Sequence, residues 1–290
     1  MTQALSNLLT QLELEPVGTD IFRGLNPGGT RRRLFGGHVA AQAVMAAGRS
    51  TPGTAVHSLH LYFLRPGDPH APIDFQVERL RDGRSYATRL VRAVQHDEVI
   101  MHASFSLVAL HDEGFAHQIS APEGLPPPAA CITWEEWARP RLERMPEEVR
   151  QQYERERPIE VRPVQPLDAV TPEPSGTRQA FWCRADTTPD QPLPDDPLLH
   201  QALATYTSDH TLLSATLRPH GRTFMTRGIT AASLDHAMWF HRPFRMDEWL
   251  LYTQEAPVSF GGRGLALGHY FDARGALVAS MAQEGVIRQR

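Results

Sequence analysis

The chain contains no lysine; all 29 of its basic residues are arginine. Walker-type phosphate loops, pyridoxal-phosphate catalysis and Schiff-base aldolase chemistry each need a lysine, so all three are excluded. Only two cysteines occur, Cys131 and Cys183, which form neither a disulfide framework nor a Cys-x-x-Cys site. No apolar run is long enough to span a bilayer. The opening residues, MTQALSNLLTQLELEPVG, lack the basic-then-apolar order of a secretory leader. Arg288-Gln289-Arg290 is not the Ser-Lys-Leu peroxisomal address, so a cytoplasmic location is expected. A formal charge of -4 gives no footprint for nucleic acid. No Gly-x-Ser-x-Gly elbow occurs; the nearest stretch, GRSYA at 83–87, ends in alanine within a strand hairpin.

What the chain does have is a long-range repeat. At 290 residues it could be one large domain or two ordinary ones, and 41% hydrophobic content suffices for a core. SLHLYFLRPGD at 58–68 and SLDHAMWFHRPF at 233–244 share a Ser-Leu start and an Arg-Pro end, with Arg65 and Arg242 lying 177 positions apart. In the first copy, FGGHVAAQAVMAAGRS (35–50) is apolar nearly all round, as a helix buried on every side should be. Strand-like stretches follow at 57–65, at 72–95 with a turn at Asp82-Gly83, and at 99–110.

The second copy keeps that order. A helix is expected over 198–217, capped by Asp195 or Asp196 with Pro197 in its first turn. Strands at 228–242, 248–272 and 276–288 follow, and the turn HDE (96–98) matches DARG (272–275), as Ala103-Ser104 matches Ala279-Ser280. Between the copies, residues 121–200 hold 15 of the 24 prolines. The charged segment 134–157 is interrupted at Pro140 and Pro146, and Trp134, Trp137, Met145 and Tyr153 indicate that this connector packs down. The expected organisation is a repeat over 1–115, a connector over 116–180 and a second repeat over 181–290. A buried helix beside a curved antiparallel sheet, twice over, is an α+β double hotdog, in which one repeat covers the other's sheet edge.

The two copies differ in chemistry. Leu199, Ala202, Tyr206, Asp209 and Leu213 share one helix face, so Asp209 sits in a mainly apolar stripe where a bare carboxylate needs partners or water. The first helix has no carboxylate from Gly36 to Gly48, which leaves one working site per chain. Gln283 shares a strand face with Leu277, Ala279 and Met281 and also needs partners. Strand alternation puts His236 on the opposite face from Ser233 and Asp235, against a Ser-His-Asp triad. It likewise puts His57 and His60 on opposite sides, and no metal-ligating spacing appears among the 14 histidines. GGRG at 261–264 reads as a hairpin turn. Arg31-Arg32-Arg33 is a solvated loop or, alternatively, a contact for the phosphates of a ligand.

LFGGHVAAQAV, HSLHLYFLRPGD, LRDGRSYATRLVRAVQ, RPIEVRPV, LDHAMWFHRPF, EWLLY and VASMAQEGVIR together resemble the acyl-CoA thioesterase II family, of the double-hotdog type. The resemblance implies hydrolysis of acyl-CoA to free acid and CoA without a metal, cofactor or covalent acyl-enzyme. It also implies that Asp209, Ser233 and Gln283 position a water, and that double-hotdog chains associate into a homo-oligomer. Asp209 would take the water's proton, and backbone N–H groups near a helix start would stabilise the oxyanion. A non-catalytic acyl-CoA-binding regulator and an enoyl-CoA hydratase on the same scaffold are the alternatives.

Overall fold

The structure is a computed structural model; it describes all residues except 29–32, 110–113, 146, 148–149, 151–154, 166–171 and 290. Leu110, Arg31, Arg32, Pro146, Tyr153 and Arg290 therefore lie outside the described residues. The first repeat runs α1 (Gln3–Leu12), β1 (Glu15–Gly18), β2 (Ile21–Gly24), α2 (Gly36–Arg49), β3 (Ala55–Phe63), β4 (Ile73–Asp82), β5 (Tyr86–Gln95) and β6 (Glu98–Val108). After a short helix α3 (Trp134–Ala138) come β7 (Ile159–Pro163), β8 (Arg178–Ala185), α4 (Pro197–Thr211), β9 (Ile229–Ser233), β10 (Asp235–Phe240), β11 (Leu250–Phe260), β12 (Arg263–Phe271) and β13 (Leu277–Gln289).

The strand order is nearly palindromic: β1-β2-β4-β5-β6-β3 on one side, β10-β13-β12-β11-β8-β7 on the other, with β9 also paired to β13. The two halves meet at an antiparallel β3–β10 seam, so each repeat covers the edge that the other would expose. This is the double hotdog. Inside it, α2 is buried from Gly37 to Gly48, as an all-round apolar helix must be, and packs antiparallel against α4.

The duplicated Arg-Pro pairs do the same job twice. Arg65 Nη1 donates to the Val99 carbonyl at 2.9 Å, and Arg242 Nη1 donates to the Leu277 carbonyl at 2.9 Å. Each guanidinium thus ties the end of a seam strand to the start of its repeat's last strand. The offset of 177 carries His60 onto Ala237, and these two residues face each other across the seam.

The same bulge also recurs. Val56 faces Leu107 while Ser58 faces Ser106, so His57 is an extra residue; 177 positions on, an extra residue falls at Leu234, between β9 and β10. A bulge inverts strand alternation beyond it, and this overturns two expectations. His57 and His60 share the outer face, where His57 bonds Ser106 Oγ and His60 meets Trp239. His236 turns inward like Ser233, buried against Ser208 on α4. The bulge also breaks the single strand expected over 228–242. The matched dipeptides are out of register: Leu61 faces Ala103 and its counterpart Met238 faces Met281, so Ala103 corresponds to Met281, two residues beyond Ala279.

Asp196 caps α4 through Leu198 N–H, and Pro197 occupies the first turn. The helix stops at Thr211, short of the expected 217, and tightens into 3-10 turns over 212–216 and 218–220, where Pro219 supplies no amide donor. Gly261 and Gly262 turn the β11–β12 hairpin with φ of 61° and 74°. In the connector, Trp137, Ala138 and Met145 form a small core with Trp134 against it, and Thr133 and Glu136 close a capping box on α3.

Candidate active site

Asp209 in the last turn of α4, Ser233 at the end of β9 and Gln283 in β13 converge, although 24 and 50 residues separate them along the chain. Ser233 Oγ donates to Asp209 Oδ1 at 3.2 Å, and Gln283 Nε2 donates to the same oxygen at 2.5 Å and to Ser233 Oγ at 2.8 Å. The other carboxylate oxygen, Oδ2, accepts the backbone N–H of Gly37 at 2.7 Å. That third partner of the carboxylate comes from the first repeat.

Its position follows from a missing cap. α2 begins after Phe35, which offers no side-chain hydrogen bond, so the free N–H groups and positive end of α2 point at whatever lies ahead. What lies there is the Asp209 carboxylate. A Cβ on Gly37 would sit 2.6 Å from the Tyr206 carbonyl, and one on Gly36 2.9 Å from Asp209 Oδ2. Two glycines are what let the helix end approach this closely. The sequence reading missed Gly37; the signal was a Phe-Gly-Gly helix start without Ser, Thr, Asp or Asn. Its N–H, at the helix start where oxyanion donors were expected, is taken by the carboxylate.

Burial pushes the Asp209 carboxyl up to about 6, against the bonds from Gln283, Gly37 and Ser233, which favour the anion. The residue keeps a partly accessible surface, so the acid lies at the boundary between interior and solvent. Such a group is ionised at neutral pH and still basic enough to take a proton. Gln283 is fully buried, and its Oε1 has no partner among the described residues, leaving an acceptor beside the hydroxyl and the carboxylate.

Among the described residues the first repeat has no such cluster. By the shared register, Ser233 corresponds to Val56 and Gln283 to Phe105, both 1% exposed. The residue of α2 that faces the start of α4, as Asp209 faces the start of α2, is Gly48, against Leu198. Apolar side chains fill the place that the polar trio occupies in the second repeat.

The tempting triad does not assemble: His236 bonds Ser208 Oγ at 2.9 Å, and Asp235 accepts the Glu284 N–H at 2.7 Å. Burial lowers the His236 pKa to about 4, which leaves it neutral, and pushes the Cys183 thiol far up, away from nucleophilic use. Among the described residues no three His, Cys, Asp or Glu side chains cluster to hold a metal ion, and no helix is long and apolar enough to cross a membrane.

Two adjoining cavities run beside α4. The larger, about 620 Å³, is lined by Phe35, Tyr206, His210 and Tyr252, with Arg33, Arg155 and Arg157 also on its walls; the second, about 240 Å³, shares His210 and Thr211 with it. Asp209, Ser233 and Gln283 line neither, but Phe35 and His210 are chain neighbours of Gly36 and Asp209. The hydrogen-bonded trio sets a carboxylate beside a hydroxyl and an amide at the end of α4, next to the cavity walls in the chain.

Residues 149–286 match the family described as acyl-CoA thioesterase, and residues 26–108 match the acyl-CoA thioesterase N-terminal domain. Acyl-coenzyme A thioesterase 8 of Homo sapiens is 39% identical over 286 residues, covering 96% of this chain and 88% of that protein. Acyl-CoA thioesterase 2 of Haemophilus influenzae is 36% identical over 294 residues, covering 99% of each. The crystal structure of an acyl-CoA thioesterase II from Mycobacterium marinum is 41% identical, covers 98% of both chains and aligns with a TM-score of 0.79. With matches that run through both repeats and the segment between them, the chain belongs to the acyl-CoA thioesterase family.

Proposed function

We propose that this chain hydrolyses acyl-CoA thioesters to free acid and CoA by direct attack of a water held at Asp209, Ser233 and Gln283. A thioester carbonyl is already electrophilic, because sulfur donates poorly into it. The enzyme's task is to orient a water, take its proton and neutralise developing charge. Asp209 accepts the proton; Ser233 Oγ and the unpartnered Gln283 Oε1 orient the water; Gly37 N–H fixes the carboxylate. The observation that carries this is a largely buried carboxylate held by three hydrogen-bond donors, with a pKa near 6. No covalent acyl-enzyme is invoked, since Ser233 has no histidine partner among the described residues.

We extend the reading in three ways. Arg33, Arg155 and Arg157, on the larger cavity, meet the phosphates of CoA. Residues 1–115, 116–180 and 181–290 form the two repeats and their connector, with one working site per chain. The protein acts in the cytoplasm, as its two free buried cysteines suggest, and associates through uncovered sheet surface.

The test is incubation with acyl-CoAs of several lengths while following free thiol. Thiol release supports the hydrolase; loss of enoyl absorbance means a hydratase, and binding alone means a regulator. Asp209→Asn is expected to cut thiol release by on the order of a hundredfold or more with the fold intact. Release at the wild-type rate removes Asp209 from the mechanism.

A further inference from the structure

Arg218, in the turn after α4, is only 6% exposed. Among the described residues its guanidinium makes one hydrogen bond, from Nη1 to Gln179 Oε1 at a long 3.5 Å; it pairs with no carboxylate, and its Nε is buried without an acceptor. An arginine cannot escape burial by losing its proton, so an unsatisfied guanidinium inside a fold is costly. The contrast with Arg89 is informative: that fully buried guanidinium is bonded to Ser50, to the carbonyls of Arg81 and Thr88 and to Asp82. The fold completes one buried arginine and leaves the other facing a cavity.

That cavity is the smaller of the two beside α4. Trp134, Phe181, Phe224 and Met225 give it apolar walls, and Arg222 and Arg157, the latter paired with Glu135, add two further cations. It adjoins the larger cavity along Phe181, His210 and Thr211, one residue from Asp209. We propose that it is an oxyanion subsite of the active site, in which Arg218 binds a carboxylate carried at the far end of the substrate's acyl chain. An apolar passage ending in an unpaired guanidinium matches a hydrocarbon chain ending in an oxyanion. The phosphates of CoA are the other oxyanions the substrate carries; at about 240 Å³ with apolar walls the cavity suits a carboxylate better than a nucleotide. The proposal rests on the reading of this chain as a hydrolase acting through Asp209.

The experiment measures kcat/KM by thiol release for three thioesters of one chain length: a plain acyl-CoA, its ω-carboxy analogue and the plain acyl-pantetheine. Wild type is compared with Arg218→Met, which keeps the length and removes the charge. Losing a charge-assisted fork should lower the ratio of ω-carboxy to plain substrate about tenfold or more. A fall of about fivefold or more in that ratio supports the subsite. A comparable fall in the ratio of acyl-CoA to acyl-pantetheine instead assigns the oxyanion to a phosphate and overturns the carboxylate. Overturning the subsite altogether would take both ratios staying within about fivefold. Should Arg218→Met not fold, Arg218→Lys keeps the buried charge without the planar fork and is judged by the same two ratios. If wild type hydrolyses none of the three, the hydrolase reading fails on its own. The subsite is then judged by whether an α,ω-diacid raises the Tm of wild type more than a monoacid of equal length.

Discussion

The backbone N–H of Gly37 donates to Asp209 Oδ2 at 2.7 Å, joining the start of one repeat's helix to the end of the other's. The carboxylate does for α2 what an N-cap side chain does for an ordinary helix. In return, the helix end favours the charged form of an acid that burial would neutralise. Fusing two hotdogs therefore does more than cover sheet edges. It lets one copy give up its own polar cluster and become the support for its twin's.

The pH dependence of turnover follows from that balance. Asp209 works as a base only when ionised, so kcat/KM should rise with pH along an acid limb centred near 6. The bond from Ser233 holds the carboxyl down, so Ser233→Ala should move the limb to higher pH as well as lowering the plateau. A pH–rate profile of both proteins checks this. A limb that stays put in the variant would detach Ser233 from the carboxylate that titrates.

Stability should carry the same signature with a definite sign. Between the ordinary carboxyl value of 3.8 and about 6, the folded chain holds a proton that the unfolded chain has released. Folding stability therefore falls as pH rises through this window and levels off above it. Asp209→Asn has no such proton. Relative to wild type it should gain about 1–3 kcal/mol between pH 4 and pH 7, beyond any constant offset from losing the Gly37 contact. Denaturant titrations at both pH values give the difference directly.

Much of this was legible in the sequence, because duplication makes a pattern visible twice. The apolar run at 36–49 had to be a buried helix, and the strand order after it repeated. Asp209, Ser233 and Gln283 follow from family resemblance, and Asp209 and Gln283 also stand out as polar residues within apolar patterns. Two things were hidden. A bulge has no strong residue signature, so alternation carried through His57 and Leu234 put His57 and His236 on the wrong faces. The Gly37 contact joins residues 172 positions apart through a backbone group, and no side-chain pattern encodes such a bond.

Gly37 and Gly48 allow a controlled comparison, as both sit where α2 approaches α4. A Cβ at Gly37 would meet the Tyr206 carbonyl at 2.6 Å, whereas one at Gly48 would meet the Leu198 side chain at 2.4 Å. Backbone cannot move aside as a side chain can, so Gly37→Ala should cost about 1–3 kcal/mol and displace the donor from Asp209. Gly48→Ala should be milder and leave the acid limb near 6, since it lies at the far end of the helix pair. Equal losses of turnover in the two variants, measured at matched stability, would mean that helix spacing alone matters.

Arg89 supplies the last prediction, since it stands close to where the first repeat would have had a site. It faces Phe105 across the β5–β6 ladder, and Phe105 corresponds to Gln283. Its side chain is wholly buried, tied to Ser50 just after α2, to two carbonyls and to Asp82, which is itself half exposed. Removing one partner from a buried ionic network leaves the others unsatisfied and opens a void, so Arg89→Ala should cost about 3–5 kcal/mol. Because Arg89 braces only the repeat without the polar trio, whatever folded protein remains should keep the wild-type acid limb. Chemical denaturation with a parallel pH–rate profile separates the two effects. A variant that folds normally yet loses turnover would place Arg89 in the reaction and end the division between a supporting repeat and a working one.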